Sequence, residues 1–226
     1  VPETRRPRRG RPARIDRARI VAVARTMDPE TLTMQAVAEE LGVDRKALNY
    51  HVSDRDGLLE LVALDVLRSQ PDMPVPQPGD DWRQALRAFA VAMHDGMVGM
   101  GALFEYTRMP LAAGLGPLES GEQMLAILTG AGFSGEDAAR TVTLITQFVY
   151  ISARDAILAT RHGGTHPQVS GIRDLLDSAP GDRMPHMREF AHLPLSGHRS
   201  QLDFDLDIVI SGLDLRLESA RPPGGQ

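Results

Sequence analysis

Residues 31–52 read TLTMQAVAEELGVDRKALNYHV, with one glycine between two short amphipathic segments. Val37, Ala38 and Leu41 fall at i, i+1 and i+4 and define one face of a helix. Thr33 stands where its hydroxyl can accept from the amides of the first turn. Gly42 supplies a positive φ that other residues resist, so the chain reverses sharply there. Val43 plugs the corner, and Asp44 caps the segment RKALNYH. Leu48 and Val52 face inward. Arg45, Lys46, Asn49, Tyr50 and His51 are left outside as donors and acceptors suited to phosphates and base edges. Two helices joined in this way, the second short enough to enter a groove about 12 Å wide, make a helix-turn-helix.

The flanking segments complete a small helical unit. Ile15, Ile20, Val23, Ala24 and Met27 share a face, with Asp16 placing a carboxylate at the start of that helix. A further helix starts near Asp54 and runs through Leu58, Leu59, Leu61, Val62, Leu64, Val66 and Leu67. Residues 69–81, SQPDMPVPQPGDD, carry four prolines between positions 71 and 78, a density that favours an extended connector. The expected organisation is a basic arm (1–14), a helix-turn-helix domain (15–70), a proline-rich linker (71–81) and a second helical domain (82–226).

That second domain reads as helices over 82–100, 117–131 and 134–161, with short helices near 172–177 and 183–193 in a Gly-, Pro- and His-rich stretch. The helix over 134–161 and the segment FDLDIVISGLDLRLE are each apolar on two sides, which calls for two partners such as a core and a second subunit. The expectation assigns Val142, Ile145, Val149, Leu206, Val209, Ile210, Leu213 and Leu217 to contact with a second copy. The fold class is all-α.

Charge and composition narrow the function. The chain is net −5, yet residues 1–20 hold eight arginines against Glu3 and Asp16. One end can therefore face a polyanion while the rest repels it. There is no cysteine, which removes thiolate chemistry and Cys-ligated zinc and fits a cytoplasmic location. No run approaches the roughly 18–20 apolar residues of a membrane span, so no membrane partner is expected. Nucleophile-elbow, phosphate-loop, dinucleotide and zinc-protease motifs are absent. His162 and His166 are separated by Gly163-Gly164, which spoils a shared helical face for a metal. The chain is read as neither an enzyme nor a carrier of a metal or cofactor.

The stretch from Ile15 to Leu67 resembles the DNA-binding domain of the Tet repressor family of bacterial regulators. The likeness rests on L-T-M-x-x-V-A-x-x-L-G-V, then A-L-x-x-H-V, then D-R-D-G-L-L. It continues through DDWRQALRAFA, AGFSGEDAAR and FDLDIVISGLDLRLE, which are similar to the tetracycline-repressor-like regulatory domain. The resemblance implies a ligand-responsive repressor that binds a palindromic double-stranded DNA operator as a homodimer and is released by a small-molecule effector. Two alternatives remain open: an activator or effector-independent regulator, and a small-molecule-binding protein whose helix-turn-helix is vestigial.

Residue by residue, the resemblance implies that Thr33 and His51 meet phosphates and that Arg45, Lys46 and Ala47 open the recognition helix. Gln35 stands where the family often has an arginine for guanine, and glutamine suits adenine. Asn49 replaces the family's usual tyrosine, with Tyr50 beside it, and Arg55 matches a basic residue at the next helix start. Phe104 stands where tetracycline-binding members have a histidine that helps hold magnesium and drug, so a metal–tetracycline complex is not the expected ligand. Met93, Met97, Met100, Phe104, Tyr106, Met124, Phe148 and Arg154 are the expected pocket residues. Pro7 to Pro12 resembles the core of an AT-hook, in which Arg9 and Arg11 would lie in a narrow A·T-rich minor groove.

Overall fold

The computed structural model describes residues 15–70, 77, 79–107, 116–181, 183–193 and 197–220. All regular structure among them is helical, as the periodicity predicts. The basic arm with Arg9 and Arg11, and most of the proline-rich linker, lie outside the described residues.

Four helices form the N-terminal unit: α1 (Arg17–Ala24), α2 (Met34–Leu41), α3 (Arg45–Leu48) and α4 (Arg55–Arg68). Each begins at a side-chain cap. Asp16 accepts from the Arg19 amide, Thr33 from Ala36, Asp44 from Lys46 and Asp54 from Gly57, all within 3.0 Å. These caps satisfy amides that have no partner within their helix. Gly42 ends α2 at φ 66°, in the left-handed region the turn demands. The helix expected over RKALNYH is shorter than its sequence. Regular α-structure covers Arg45–Leu48, and Asn49 to His51 continue as a turn.

The C-terminal unit contains α5 (Trp82–Met100), a 3-10 turn η1 (Gly101–Tyr106), α6 (Gly116–Gly130), α7 (Gly135–Arg161), α8 (Pro167–Ser178), α9 (Pro185–His192) and α10 (His198–Ala220). α5 packs chiefly along α7, α6 lies against both, and α8 packs on α9. Ser134 caps α7 by accepting from the Asp137 amide (3.0 Å). The Asp137 carboxylate does not complete a reciprocal capping box, because it accepts from Arg216 of α10 (2.7 Å). Arg216 holds Asp137 below the usual aspartate range, outweighing a smaller opposing effect of burial. Ion pairs join α5 to α10: Arg83–Asp214, Arg87–Asp203 and Arg87–Asp207, and Arg199–Asp95. Residue numbers rise along one helix as they fall along the other, so the two run antiparallel.

Two hydrophobic clusters account for the interior. The second holds Trp82, Leu86, Phe89, Met124, Leu128, Phe133, Ile145, Val149, Leu202, Leu206, Ile210, Leu213 and Leu217, with Trp82 edge-on to Phe133 at 5.1 Å. The first holds the inner faces of α1 to α4, including Ile20, Val37, Leu48, Leu58, Leu59 and Val62. It also contains Met100, Leu103, Phe104 and Ile157, which come from the C-terminal unit. The core of the helix-turn-helix is thus completed by η1 and the end of α7.

The two-sided character of α7 and α10 is real, but most of the residues expected at the contact with a second copy lie in the protomer's own core. Ile145, Val149, Leu206, Ile210, Leu213 and Leu217 are buried within one protomer, and Val142 and Val209 pack against the same cluster. The six that are enclosed in their own chain's core are not available to a second copy, while Val142 and Val209 are half-buried. The opposite stripes are outside, with Leu144, Ile151, Phe204, Ile208 and Leu215 between 47% and 66% exposed. By length and composition α7 is apolar enough to cross a membrane, yet one of its sides is packed into this core.

Candidate nucleic-acid interface

α3 is held from behind. Leu48 is completely buried and Val52 nearly so, and both belong to the cluster beneath the turn. Burying these two side chains contributes roughly 1.5–3 kcal/mol each and fixes which side of the short helix faces out. Arg17 of α1 fixes the far end, donating from Nε and Nη2 to the His51 carbonyl at 3.3 and 3.1 Å. A four-residue helix is not stable alone, and these contacts with the Asp44 cap replace the missing length.

The outward side carries Arg45, Lys46, Asn49 and Tyr50, all exposed, with Ala47 and His51 half-buried beside them. Tyr50 is 81% exposed, an unusual position for a large aromatic side chain in water. Thr33 is exposed at the start of α2. Its hydroxyl oxygen already accepts from the Ala36 amide, and its O–H remains able to donate to a phosphate. Gln35 is exposed but its amide donates to Glu39 at 2.8 Å, a bond that must open before the side chain can reach a base.

Arg55 departs from its expected role. Its guanidinium points inward, donating from Nε to the Leu32 carbonyl (2.8 Å), from Nη2 to the Pro29 and Glu30 carbonyls (2.7 and 3.2 Å) and from Nη1 to the Tyr106 hydroxyl (3.3 Å). It also lies over the Tyr106 ring, 5.8 Å from the centroid. Its three nitrogens are thus engaged by the α1–α2 loop and η1, and Nη1 also lies 3.5 Å from Asp56. Arg161, at the end of α7, adds ion pairs to Glu30 of that loop (3.3 Å) and to Glu105 of η1 (3.9 Å). Arg55 and Arg161 together join the helix-turn-helix unit to the C-terminal unit.

The expected pocket residues are not brought into one group. Met93 and Phe148 are half-buried and Met124 is fully buried, all at the second cluster. Met100, Phe104 and Tyr106 belong instead to the first cluster, and Phe104 packs on Tyr150 at 4.9 Å. Met97 packs against both clusters. Arg154 is exposed. Sequence reasoning missed His94, which is buried on α5 with an unpartnered ring nitrogen. The sequence shows it as a histidine in the apolar register of Leu86 and Ala90, at steps of four, which by itself reads as packing. Among the described residues no group of histidines and carboxylates is arranged to hold a metal.

A capped and glycine-broken helix pair, presenting a short polar helix and coupled to a larger helical domain, defines a helix-turn-helix regulator. Residues 75–217 match the model of the tetracycline-repressor-like C-terminal domain, which is more than half of the chain. The protein belongs to the Tet repressor family of transcriptional regulators. It is 24% identical over 193 residues to the class G tetracycline repressor of Vibrio anguillarum, covering 84% of this chain and 87% of that protein. It is 31% identical over 121 residues to the class C repressor of Escherichia coli, where the match spans 53% of this chain and about half of that repressor, 54%. Among solved structures it is similar to the Streptomyces coelicolor protein ActR in complex with actinorhodin. The TM-score is 0.66 at 25% identity, covering 91% of this chain and 99% of that one.

Proposed function

We propose that the protein is a cytoplasmic, ligand-responsive repressor that binds a palindromic DNA operator as a homodimer and leaves it when a small molecule enters the regulatory domain. The observation that carries this reading is the recognition face: Arg45, Lys46, Asn49 and the 81%-exposed Tyr50 stand clear of solvent-excluded Leu48. Such a set gives phosphate positioning through cations and base-edge or sugar contacts through the amide and phenol. A vestigial unit would have no need of an exposed aromatic held on so short a helix.

Dimerisation follows from the uncovered stripes of α7 and α10. Leu144, Ile151, Phe204, Ile208 and Leu215 form apolar surface of the kind that marks association. A two-fold pair sets its recognition helices about 34–36 Å apart, one turn of duplex, and a shift of a few ångströms removes the match. Arg55–Tyr106 and Arg161–Glu30 provide the connection through which a change near η1 reaches the reading unit. Actinorhodin, held by the similar ActR, is a reasonable first effector to try.

The test is a gel shift with palindromic fragments from the DNA upstream of the protein's own gene. The expected result is a sequence-selective complex at moderate salt that an effector dissolves. A complex that forms equally on scrambled DNA removes the operator claim. A selective complex that no cell-derived compound weakens removes the ligand claim and leaves an effector-independent regulator.

A further inference from the structure

The basic arm is anchored at one end. Ile15 is half-buried and packs against the first cluster, and Asp16 caps α1. Arg17 donates from Nε and Nη2 to the His51 carbonyl at 3.3 and 3.1 Å. The chain therefore enters α1 within one arginine side chain of the end of the recognition segment, where Tyr50 stands exposed. Whatever duplex α3 meets, residues 1–14 set out from beside it.

Reach and composition decide what such a segment can touch. One turn of duplex is about 34–36 Å, so a minor groove lies roughly 17 Å from the major groove next to it. An extended chain covers at most about 3.3–3.6 Å per residue. Arg11 can therefore stand up to about 13 Å from Ile15 and Arg9 up to about 20 Å, with the length of each side chain in addition. Residues 7–12 read PRRGRP. Pro7 and Pro12 hold their own φ near −65° and favour an extended backbone. Gly10 has no Cβ, so the backbone between Arg9 and Arg11 can approach the floor of a groove only about 6 Å wide. A tail that merely neutralised phosphates would need the charge but neither the glycine nor the prolines. Arginine is more weakly hydrated than lysine, and the narrow minor groove of an A·T tract has the enhanced negative potential that attracts it. Guanine places its N2 amino group in that groove, setting a donor against a donor.

Resting on the DNA-binding reading above, we propose that Arg9-Gly10-Arg11 is a second DNA site, which takes the minor groove of an A·T-rich tract about half a turn from the bases that α3 meets. The helix-turn-helix reads one groove and the arm reads the next, so the bound sequence is a half-site with an A·T-rich neighbour. The charge distribution supports this division: residues 1–20 hold eight arginines against Glu3 and Asp16 in a chain that is net −5.

The test is fluorescence anisotropy of the full chain with three short duplexes that differ only in a central block of A·T, G·C or inosine·cytosine pairs. Inosine lacks the N2 amino group, so its pair with cytosine shows an A·T-like minor groove and a G·C-like major groove. The wild type is expected to bind the A·T and inosine duplexes about tenfold more tightly than the G·C duplex. Gly10→Leu keeps every charge and should bring the three to one level with the salt dependence unchanged. Deleting residues 1–12 should also level them and flatten the salt dependence. Both changes lie ahead of Ile15, and circular dichroism checks that both variants fold. Equal binding of the three duplexes by the wild type, inosine bound like G·C, or a preference that survives either variant overturns the proposal. Operator binding is read separately by gel shift. If the arm-dependent preference holds and no fragment is bound selectively, the repressor reading fails and the arm site stands. If a selective operator complex forms and the three duplexes bind equally, the arm site fails and the repressor stands.

Discussion

The helix-turn-helix unit and the α7–α10 surface treat their apolar side chains in opposite ways. In the first, Ile20, Val37, Leu48, Leu58 and Leu59 are fully enclosed, and among the described residues up to Arg68 Tyr50 is the one large hydrophobic left outside. In the second, Leu144, Ile151, Phe204, Ile208 and Leu215 remain in water although a complete core lies directly behind them. The first unit finishes its interior within one protomer and spends its surface on polar groups. The second carries apolar surface beyond what its own fold consumes, which is the signature of a helix with two partners.

That contrast can be broken at its strongest point first. Leu48→Ala should destabilise the protein by about 2–5 kcal/mol, because α3 has no other fully buried anchor; urea unfolding measures it. A smaller change would mean that α3 is held mainly by its polar contacts. Replacing Phe204 and Ile208 together by glutamate should leave the fold intact, convert the proposed dimer to monomers in sedimentation velocity, and weaken operator binding roughly a hundredfold as the two half-sites uncouple. A variant that still sediments as a dimer would move the interface elsewhere.

Three smaller effects sharpen the comparison. Tyr50→Ala or Lys46→Ala should weaken operator binding about tenfold with stability within about 0.5 kcal/mol of wild type. Lys46→Ala should also reduce the salt slope by about one. Both are read by titration at several salt concentrations. Gly42→Ala meets no atom within 4 Å of the new Cβ, so its cost is the φ of 66° alone, about 1 kcal/mol in thermal unfolding. Last, Asp95 has a lowered value in the folded state. Its contribution is fully present above the unfolded aspartate value and is lost as pH falls through the folded one. Stability should therefore drop as pH falls below the unfolded aspartate value, and Asp95→Asn should make that drop shallower, measured as urea midpoints across the acid range.

The all-helical fold and the recognition face were legible because they are local. Thr33, Gly42, Asp44 and Asp54 act on backbone within four residues of themselves, and spacing alone reveals them. Deciding which stripe of α7 and α10 faces inward is not local. Both stripes are apolar with helical period, and the choice depends on α5, whose Leu86 and Phe89 share a cluster with Ile145 and Leu206, which are distant along the chain. Arg55 misled for a related reason: its place at a helix start looks like that of a phosphate contact, while its partners, Leu32 and Tyr106, are distant in sequence. His94 was hidden because a lone histidine within an apolar register reads as packing until its second nitrogen is found without a partner.

The core beneath α1 to α4 includes Met100, Leu103, Phe104 and Ile157. The helix-turn-helix unit is therefore not an interchangeable cartridge. A chimaera that grafted residues 15–70 onto another regulator would carry an open apolar socket, and one that received a foreign reading unit would have four side chains with nowhere to go. Building a biosensor from this protein calls for cutting on the far side of η1 and carrying the end of α7 across as well, so the useful seam lies well beyond the proline-rich stretch that looks like one.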